Sequence, residues 1–365
     1  MKKIKKILFI TTPLYDYLAD SLLIGLRKIY GQNCIEFPRK KMMYGEFPSV
    51  YGKGFTIWSK PIKDIKRNKK NFEDIDLVIY SDYRRQSYVD WRILAKNKKF
   101  APRIIYLDGY DDNYVNPKLK PYFKRELYKN KEGVFPVGFG IPSHLIRPLN
   151  IDKKTQLYQT HVQDTEFTKN ISYKFNKEKD YYDDLAKSYF GITMKKGGWD
   201  CMRHYELLAA GALIMFKNFK FKPKLCNPQC PYFVNYSNKK DFMNKIEKLF
   251  TNNKPNSKYH KILKLQRKWL LENATCSARA KKLIEDVEAY YKEKQVQNMP
   301  LISFKLFKIM KIKFYEIYQS FVLRIMTLVK SNSILFFLYS KLKRLLGLEY
   351  LVNHVLVKQK KEYIK

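Results

Sequence analysis

The stretch from Tyr189 to Asn218, YFGITMKKGGWDCMRHYELLAAGALIMFKN, arranges basic, small and acidic residues in an order that suits an anionic ligand. Lys195 and Lys196 precede two glycines, and Arg203 follows in the first turns of a helix that we expect to begin near Trp199. The N–H groups of such a turn and the positive end of a helix attract anions. We therefore predict a diphosphate site. Its candidate residues are Lys195, Lys196, Gly197, Gly198, Asp200, Arg203 and His204.

Glu206 stands three residues after Arg203, so both side chains can share one face of the helix. A carboxylate in this place can accept hydrogen bonds from both hydroxyls of a ribose. The small residues Ala209, Ala210 and Gly211 then allow the helix to pack closely on a sheet. The alternative is an ordinary amphipathic helix with a surface ion pair between Arg203 and Glu206.

The pattern R-H-Y-E-x-L-A-x-G-A over residues 203–212, followed by an apolar strand, resembles the C-terminal nucleotide-binding motif of GT-B glycosyltransferases (the group 1-like family). The resemblance covers residues 189–218 closely and residues 1–295 in outline. It implies that Glu206 holds the donor ribose and that Lys195, Lys196 and Arg203 hold the diphosphate. It also implies hexosyltransferase-like transfer from a nucleotide-sugar, with no tightly bound cofactor and no required divalent metal; the retaining branch fits better than the inverting one.

The sequence departs from this family at Gly198. Many members carry a further Glu eight positions before the ribose-binding Glu, and Asp200 is the nearest acid in this chain. A catalytically inactive GT-B scaffold that anchors a partner therefore remains an alternative.

A second cluster, Asp108, Asp111 and Asp112, follows a predicted strand in LDGYDDNYVN. The carboxyl ends of parallel strands are where open α/β sheets place functional groups. The three carboxylates are our catalytic candidates, with one acting as general base on an acceptor hydroxyl. They are also compatible with a turn stabilised by Asp side chains or with a Mg²⁺ or Mn²⁺ site.

The acceptor side of the predicted cleft is expected to include Asp16, Asp20 and His144. The two aspartates lie in the loop after the first apolar run, and Asp20 is interpreted as a helix cap. His144 follows the segment GFGIPS between the two halves of the chain.

Short apolar runs, such as residues 4–12, 75–82 and 102–112, predict buried strands, and they alternate with helical patterns, such as that of residues 85–97. This alternation predicts an α/β fold. We expect two Rossmann-like units facing a cleft, the GT-B arrangement, followed by C-terminal amphipathic helices. An acceptor domain would span 1–150, a nucleotide-sugar domain 151–298, and a helical segment 299–365. Ligands commonly bind between two such units.

Composition narrows the class of protein. The 365 residues are 45% hydrophobic, which excludes a wholly disordered chain, and the net charge of +38 attracts polyanions. No RRM, helix-turn-helix or zinc-finger pattern is present, so we expect no specific nucleic acid partner, although a basic nucleic-acid-binding protein is an alternative. Five scattered cysteines and a short N-terminal apolar run favour a cytoplasmic protein with reduced thiols.

The segment 299–365 carries 11 Lys and 2 Arg against 3 Glu, a net charge of +10 among many Ile, Leu and Phe. Apolar faces with basic flanks are typical of helices that lie in a membrane interface. We expect a bacterial protein held at the inner membrane face, where lipopolysaccharide, polysaccharide or lipid-linked acceptors lie. The alternative is that these helices pack on the protein or on a second copy in a homo-oligomer.

Deletion of residues 300–365 should release the protein from vesicles that contain anionic lipid. Each basic residue near an anionic surface contributes about 1 kcal/mol to binding, and the deletion removes all those of the segment. Co-sedimentation with vesicles measures the effect, with neutral vesicles as the control. Undiminished binding by the truncated protein would reject the membrane role of this segment.

Overall fold

Apolar runs of four to six residues form the central strands of two parallel sheets. The computed structural model describes residues 3–12, 14–46, 56–67, 69–86, 90–97, 100–171 and 174–294. The predicted α/β class with two units facing one cavity is confirmed. The predicted helices after residue 298 lie outside the described residues.

The first unit is a six-stranded sheet in the order β2-β1-β3-β4-β5-β6, with every neighbouring pair parallel. Its strands are β1 (Ile7–Ile10), β2 (Cys34–Phe37), β3 (Leu77–Tyr80), β4 (Arg103–Asp108), β5 (Tyr122–Lys124) and β6 (Val134–Pro136). Its helices are α1 (Tyr17–Tyr30), α2 (Tyr83–Gln86) and α3 (Trp91–Leu94). Alternate residues of β1 enter two separate cores, as Phe9 and Leu8 illustrate, so both faces of the sheet are covered.

The second unit is a four-stranded parallel sheet in the order β10-β9-β8-β7. Its strands are β7 (Gln156–Tyr158), β8 (Ser188–Thr193), β9 (Leu213–Lys217) and β10 (Val234–Tyr236). The helices are α4 (Glu178–Lys187), α5 (Met202–Ala210), α6 (Lys239–Glu247), α7 (Ser257–Asn273) and α8 (Cys276–Glu293). A short antiparallel pair, β11 (Phe250–Thr251) and β12 (Lys254–Pro255), follows α6.

Three local predictions need correction. Residues 85–97 were expected to form one helix, but the described parts form α2 and α3, the latter begun by the Asp90 side chain accepting from Arg92 N. The helix expected near Trp199 begins at Met202. Strand β5 was missed, because three residues give too little pattern for a prediction.

Helix α8 crosses back from the second unit and packs along α1 of the first. The absence of a side chain at Gly25 allows the two helices to approach closely. A Cβ atom there would lie 2.8 Å from Ala280 Cβ and closer still to the Cys276 backbone. The crossing begins where Ile141 and Thr275 form a parallel bridge. One hydrophobic core consequently extends through both units.

No helix among the described residues is long and apolar enough to cross a bilayer. All five cysteines are described, and each is free.

Substitution of Gly25 by Ala should lower the free energy of unfolding by about 1–3 kcal/mol, because the added methyl overpacks the α1–α8 contact. Urea denaturation measures the change. Ile29→Ala, on the same helix but 47% exposed, is the control and should change stability by less than about 0.5 kcal/mol. Equal stability of Gly25→Ala and the parent protein would contradict the described contact.

Candidate functional site

A cavity of about 460 Å³ lies between the two units, outside the carboxyl ends of their strands. The first unit contributes Tyr17, Thr56, Asp111, Arg125 and Phe139 to its lining. The second unit contributes His161, Tyr181, Lys196, Gly197, Gly198, Asp200, Cys201, Met202, Arg203 and Glu206. The Lys-Lys-Gly-Gly turn at residues 195–198 and Glu206 were predicted to form one site. They lie on the same wall of the cavity.

Two cations of this wall, Arg203 and Lys196, form no ion pair with any described residue. Arg203 is 9% exposed, and no carboxylate among the described residues lies within ion-pair distance of it. Its Nη1 is buried without a hydrogen-bond partner, and Nη2 lies 4.0 Å from Cys201 Sγ. The Lys196 side chain is largely exposed. Partial desolvation at the cavity and, to a lesser degree, the charge of Arg203 lower the pKa of its ammonium. The alternative of an Arg203–Glu206 ion pair is thus not what the structure contains.

The turn before α5, residues 195–198, lies beside these two cations. Lys196 N donates to Gly198 O at 3.1 Å, which folds the chain back at Gly197. Cys201 stands at the start of α5, and no side chain caps the first turn of the helix. Lys195 is exposed, with its ammonium 5.3 Å from the Trp199 ring centre.

Glu206 is partly exposed to the cavity, and both of its carboxylate oxygens accept hydrogen bonds. Thr56 Oγ1 donates to Oε1 at 2.5 Å, and Tyr181 OH donates to Oε2 at 2.6 Å. Burial raises the pKa of Glu206, while the two hydroxyl donors and the Arg203 charge act in the opposite direction. The carboxylate is therefore held ready to accept hydroxyl donors.

The position of Gly198 has no room for a side chain, because a carboxylate of the first unit packs against it. A Cβ atom at this position would lie 2.7 Å from Glu126 Cδ. Glu126 is fully buried and accepts from the N–H groups of Trp199 and Asp200, each at 3.0 Å. Its neighbours Lys124 and Arg125 are also buried, and Arg125 lines the cavity.

Asp200 does not offer its carboxylate to the cavity, contrary to the prediction that it contacts a donor. Its Oδ2 accepts from Phe139 N at 2.9 Å and its Oδ1 from Tyr205 OH at 2.5 Å. Burial raises the pKa of this carboxyl, with the charge of Arg125 acting against it. Asp200 joins the two units instead.

Of the three candidate catalytic aspartates, only Asp111 lines the cavity. Its carboxylate is 60% exposed and is paired with Arg125. Asp108 is buried and bonded to Lys124 at 3.0 Å and Arg84 at 2.8 Å, so it has no access to a substrate.

Asp112 lies at the surface beside the same cations. Hydrogen bonding from Arg84 is the largest cause of the lowered pKa of this carboxyl, and Lys124 adds to it. Asp108 and Asp112 each accept the N–H of the residue two places on, as in a turn stabilised by Asp side chains. Among the described residues, no group of three or more potential ligands is placed to hold a metal ion.

The predicted acceptor-side residues do not line the cavity. Asp16 caps α1 by accepting from Ala19 N at 3.0 Å, so the assignment of the cap to Asp20 was wrong. Asp20 is fully buried, bonded to Lys40 at 2.5 Å and Trp58 Nε1 at 2.9 Å, and burial raises its pKa to about 6. His144 is exposed and lies 2.9 Å from Ser59 Oγ.

His204 supports the basic turn from beneath. Its Nε2 lies 3.0 Å from Trp199 O and its Nδ1 lies 2.8 Å from Thr193 Oγ1. Complete burial lowers the pKa of His204 to about 3. A neutral ring donating to Trp199 O fits these contacts, so His204 has a structural role and no direct contact with a ligand.

Sequence reasoning missed several cavity residues, because nothing in their local pattern marks them. Tyr17, Thr56 and Phe139 reach the cavity from the first unit, and His161 and Tyr181 from the second. Tyr17 is 42% exposed, and its ring packs 5.0 Å from that of Trp58.

Comparisons with known proteins give fold-level likenesses. No family model matches the chain, and no curated protein matches it. Similar solved structures include HepE of Anabaena with UDP and glucose, at 9% identity and a TM-score of 0.44, covering 78% of this chain and 100% of that one. A glycosyltransferase from Rickettsia africae has 10% identity and a TM-score of 0.41, covering 80% and 100%. The avilamycin glycosyltransferase AviGT4 has 10% identity and a TM-score of 0.39, covering 78% and 97%.

Replacement of His204 by Gln should reduce the loss of stability on acidification. Between pH 6.5 and about 3 the unfolded imidazole binds a proton that the folded one does not, so the native protein loses stability as pH falls. The slope of unfolding free energy against pH should be smaller in the variant by about 1.4 kcal/mol per unit. Urea titrations at pH 4, 5 and 6 measure it, and identical slopes would contradict a buried neutral ring.

Proposed function

We propose that this chain is a glycosyltransferase that uses a nucleotide-sugar donor. The observation that carries the proposal is the cavity wall on which Lys196 and Arg203, beside the carboxylate of Glu206, have no ion-pair partner in the part of the chain that the structure describes. A buried guanidinium without a partner is costly unless a ligand supplies the anion. The cavity volume falls in the range of about 300–1,000 Å³ that is usual for small-molecule sites.

In this proposal the diphosphate of the donor lies against Arg203, Lys196 and the turn before α5. The bond between the sugar anomeric carbon and the diphosphate oxygen breaks, and negative charge grows on the leaving oxygen. Cations already in place stabilise that charge without reorganising, which lowers the barrier. Glu206 accepts hydrogen bonds from the ribose hydroxyls and so orients the donor.

Asp111 is our candidate to receive the proton of the acceptor hydroxyl as the new bond to the anomeric carbon forms. It reaches the cavity from the first unit, opposite Arg203 and Glu206, and its carboxylate is accessible. Arg125 binds Asp111 and thereby sets the direction of its carboxylate.

We further propose a cell-surface glycan or a lipid-linked sugar as the acceptor, at the cytoplasmic face of the membrane. The basic and apolar composition of residues 299–365 supports this placement. Association into a homo-oligomer through the same residues is the competing arrangement.

Purified protein should be stabilised by one nucleotide family in a panel of UDP-, GDP-, ADP-, CDP- and TDP-sugars, measured with and without Mn²⁺. A ligand at 100 times its dissociation constant adds about 2.7 kcal/mol to the free energy of unfolding, which thermal denaturation resolves. Arg203→Gln should weaken binding about tenfold or more, because a charge-assisted hydrogen bond contributes about 1.5–3 kcal/mol.

Arg147→Gln is the matched control, since Arg147 pairs with Asp183 away from the cavity. It should bind like the parent protein. No shift with any compound would favour the inactive scaffold, and a shift that survives Arg203→Gln would place the diphosphate elsewhere.

A further inference from the structure

The carboxylate of Glu206, which we propose binds the donor ribose, is already hydrogen-bonded to a side chain of the first unit. Thr56 begins the short 3₁₀ helix Thr56–Trp58 of the first unit, and Glu206 lies on α5 of the second. Thr56 Oγ1 donates to Glu206 Oε1 at 2.5 Å. Both residues line the cavity, so the contact lies within the space a ligand would enter.

Thr56 is held between two carboxylates. Its backbone N–H donates to Glu178 Oε1 at 2.5 Å, and its hydroxyl donates to Glu206 Oε1. The two acids repel each other, and this repulsion adds to burial in raising the pKa of Glu178. A single residue of the first unit thus supplies donors to two acids of the second.

The backbone of Thr56 is strained. Its φ angle is +62°, in the left-handed region that a β-branched residue rarely adopts. Such a conformation persists only where the surroundings hold it, and the hydrogen bonds to Glu178 and Glu206 do so. Strain of this kind is found at binding sites more often than at ordinary turns.

The Thr56 hydroxyl has a second partner. Tyr182 OH lies 3.1 Å from Oγ1. If the hydroxyl leaves Glu206, it therefore keeps one hydrogen bond. The oxygen that it leaves, Oε1, becomes available to a hydroxyl donor of a ligand, whereas Oε2 remains bonded to Tyr181.

We propose that Thr56 competes with the donor ribose for Glu206 and so sets both the affinity of the site and its requirement for ribose hydroxyls. This inference rests on the proposed function. In this proposal a ribose hydroxyl displaces the Thr56 hydroxyl from Oε1, so part of its gain is offset by the bond that is lost. A nucleotide without ribose hydroxyls cannot make this exchange, and Thr56 then stays on Glu206.

Thr56→Val tests the proposal, because valine removes the hydroxyl while keeping the branched shape at the same φ. Isothermal titration calorimetry with UDP and GDP should show binding about tenfold tighter than in the parent protein, which corresponds to about 1.4 kcal/mol. The 2′,3′-dideoxy analogues should bind both proteins equally. Thr56→Ser, which keeps the hydroxyl, is the matched control and should bind the nucleotides within about twofold of the parent protein.

The Glu206→Ala background isolates the carboxylate. In that background Thr56→Val should no longer change the affinity for UDP or GDP, since the contested oxygen is gone. Thr56→Ala serves as a second hydroxyl-free variant should the valine form be poorly folded, as judged by its thermal denaturation without ligand.

The possible results separate the two ideas. If the parent protein binds nucleotide but Thr56→Val binds it equally or more weakly, Thr56 supports the ligand, and the competition is overturned while the proposed function stands. An equal gain for the dideoxy analogues would mean that valine merely opens the cavity, and this also overturns it. If neither UDP nor GDP binds, the remaining nucleoside diphosphates of the donor panel are titrated in the same way, and failure of all of them to bind any of these proteins would overturn both proposals.

Discussion

Two buried carboxylates, each bonded to backbone N–H groups of the opposite unit, hold the walls of the cavity together. Glu126 of the first unit accepts from Trp199 and Asp200, and Asp200 of the second accepts from Phe139. Separating the units along this seam would break these three hydrogen bonds, although Arg125 would remain beside Glu126 and Tyr205 beside Asp200. The shape of the turn at residues 195–198, and with it the direction of Arg203, depends on these hydrogen bonds between the units.

Charge is distributed unequally around the cavity. In the first unit the acidic side chains near it are matched, as Asp108 is by Lys124 and Asp111 by Arg125. On the opposite wall Arg203 and Lys196 have no such partners among the described residues. In a chain with a net charge of +38, unmatched surface lysines are ordinary, but an unmatched guanidinium that is 9% exposed is not. Arg267 is equally buried with no ion pair among the described residues, so the position of Arg203 on the cavity wall is what marks it as a candidate ligand contact.

The sequence predicts those parts of the fold and site whose pattern is local. Buried parallel strands are continuous apolar runs, so β1, β3 and β4 were foreseen, and the spacing of Arg203 and Glu206 placed both on one wall. Contacts between distant segments leave no such pattern. Thr56 meets Glu206 across 150 residues, and Glu126 meets Trp199 across 73. For the same reason the sequence does not reveal that the Asp200 carboxylate accepts from Phe139 N, since Phe139 belongs to the other unit.

The return of α8 to the first unit determines how the two halves can be exchanged with those of another protein. Because the chain crosses between units twice, near Ile141 and again at Thr275, a chimera with one junction would detach α8 from the face of α1 that it covers. A chimera therefore needs two junctions, one near each crossing, so that α8 comes from the same parent protein as the first unit. Any graft of a foreign second unit must also present backbone N–H groups to Glu126 and an acid to Phe139, which restricts compatible partners more than the apolar core does.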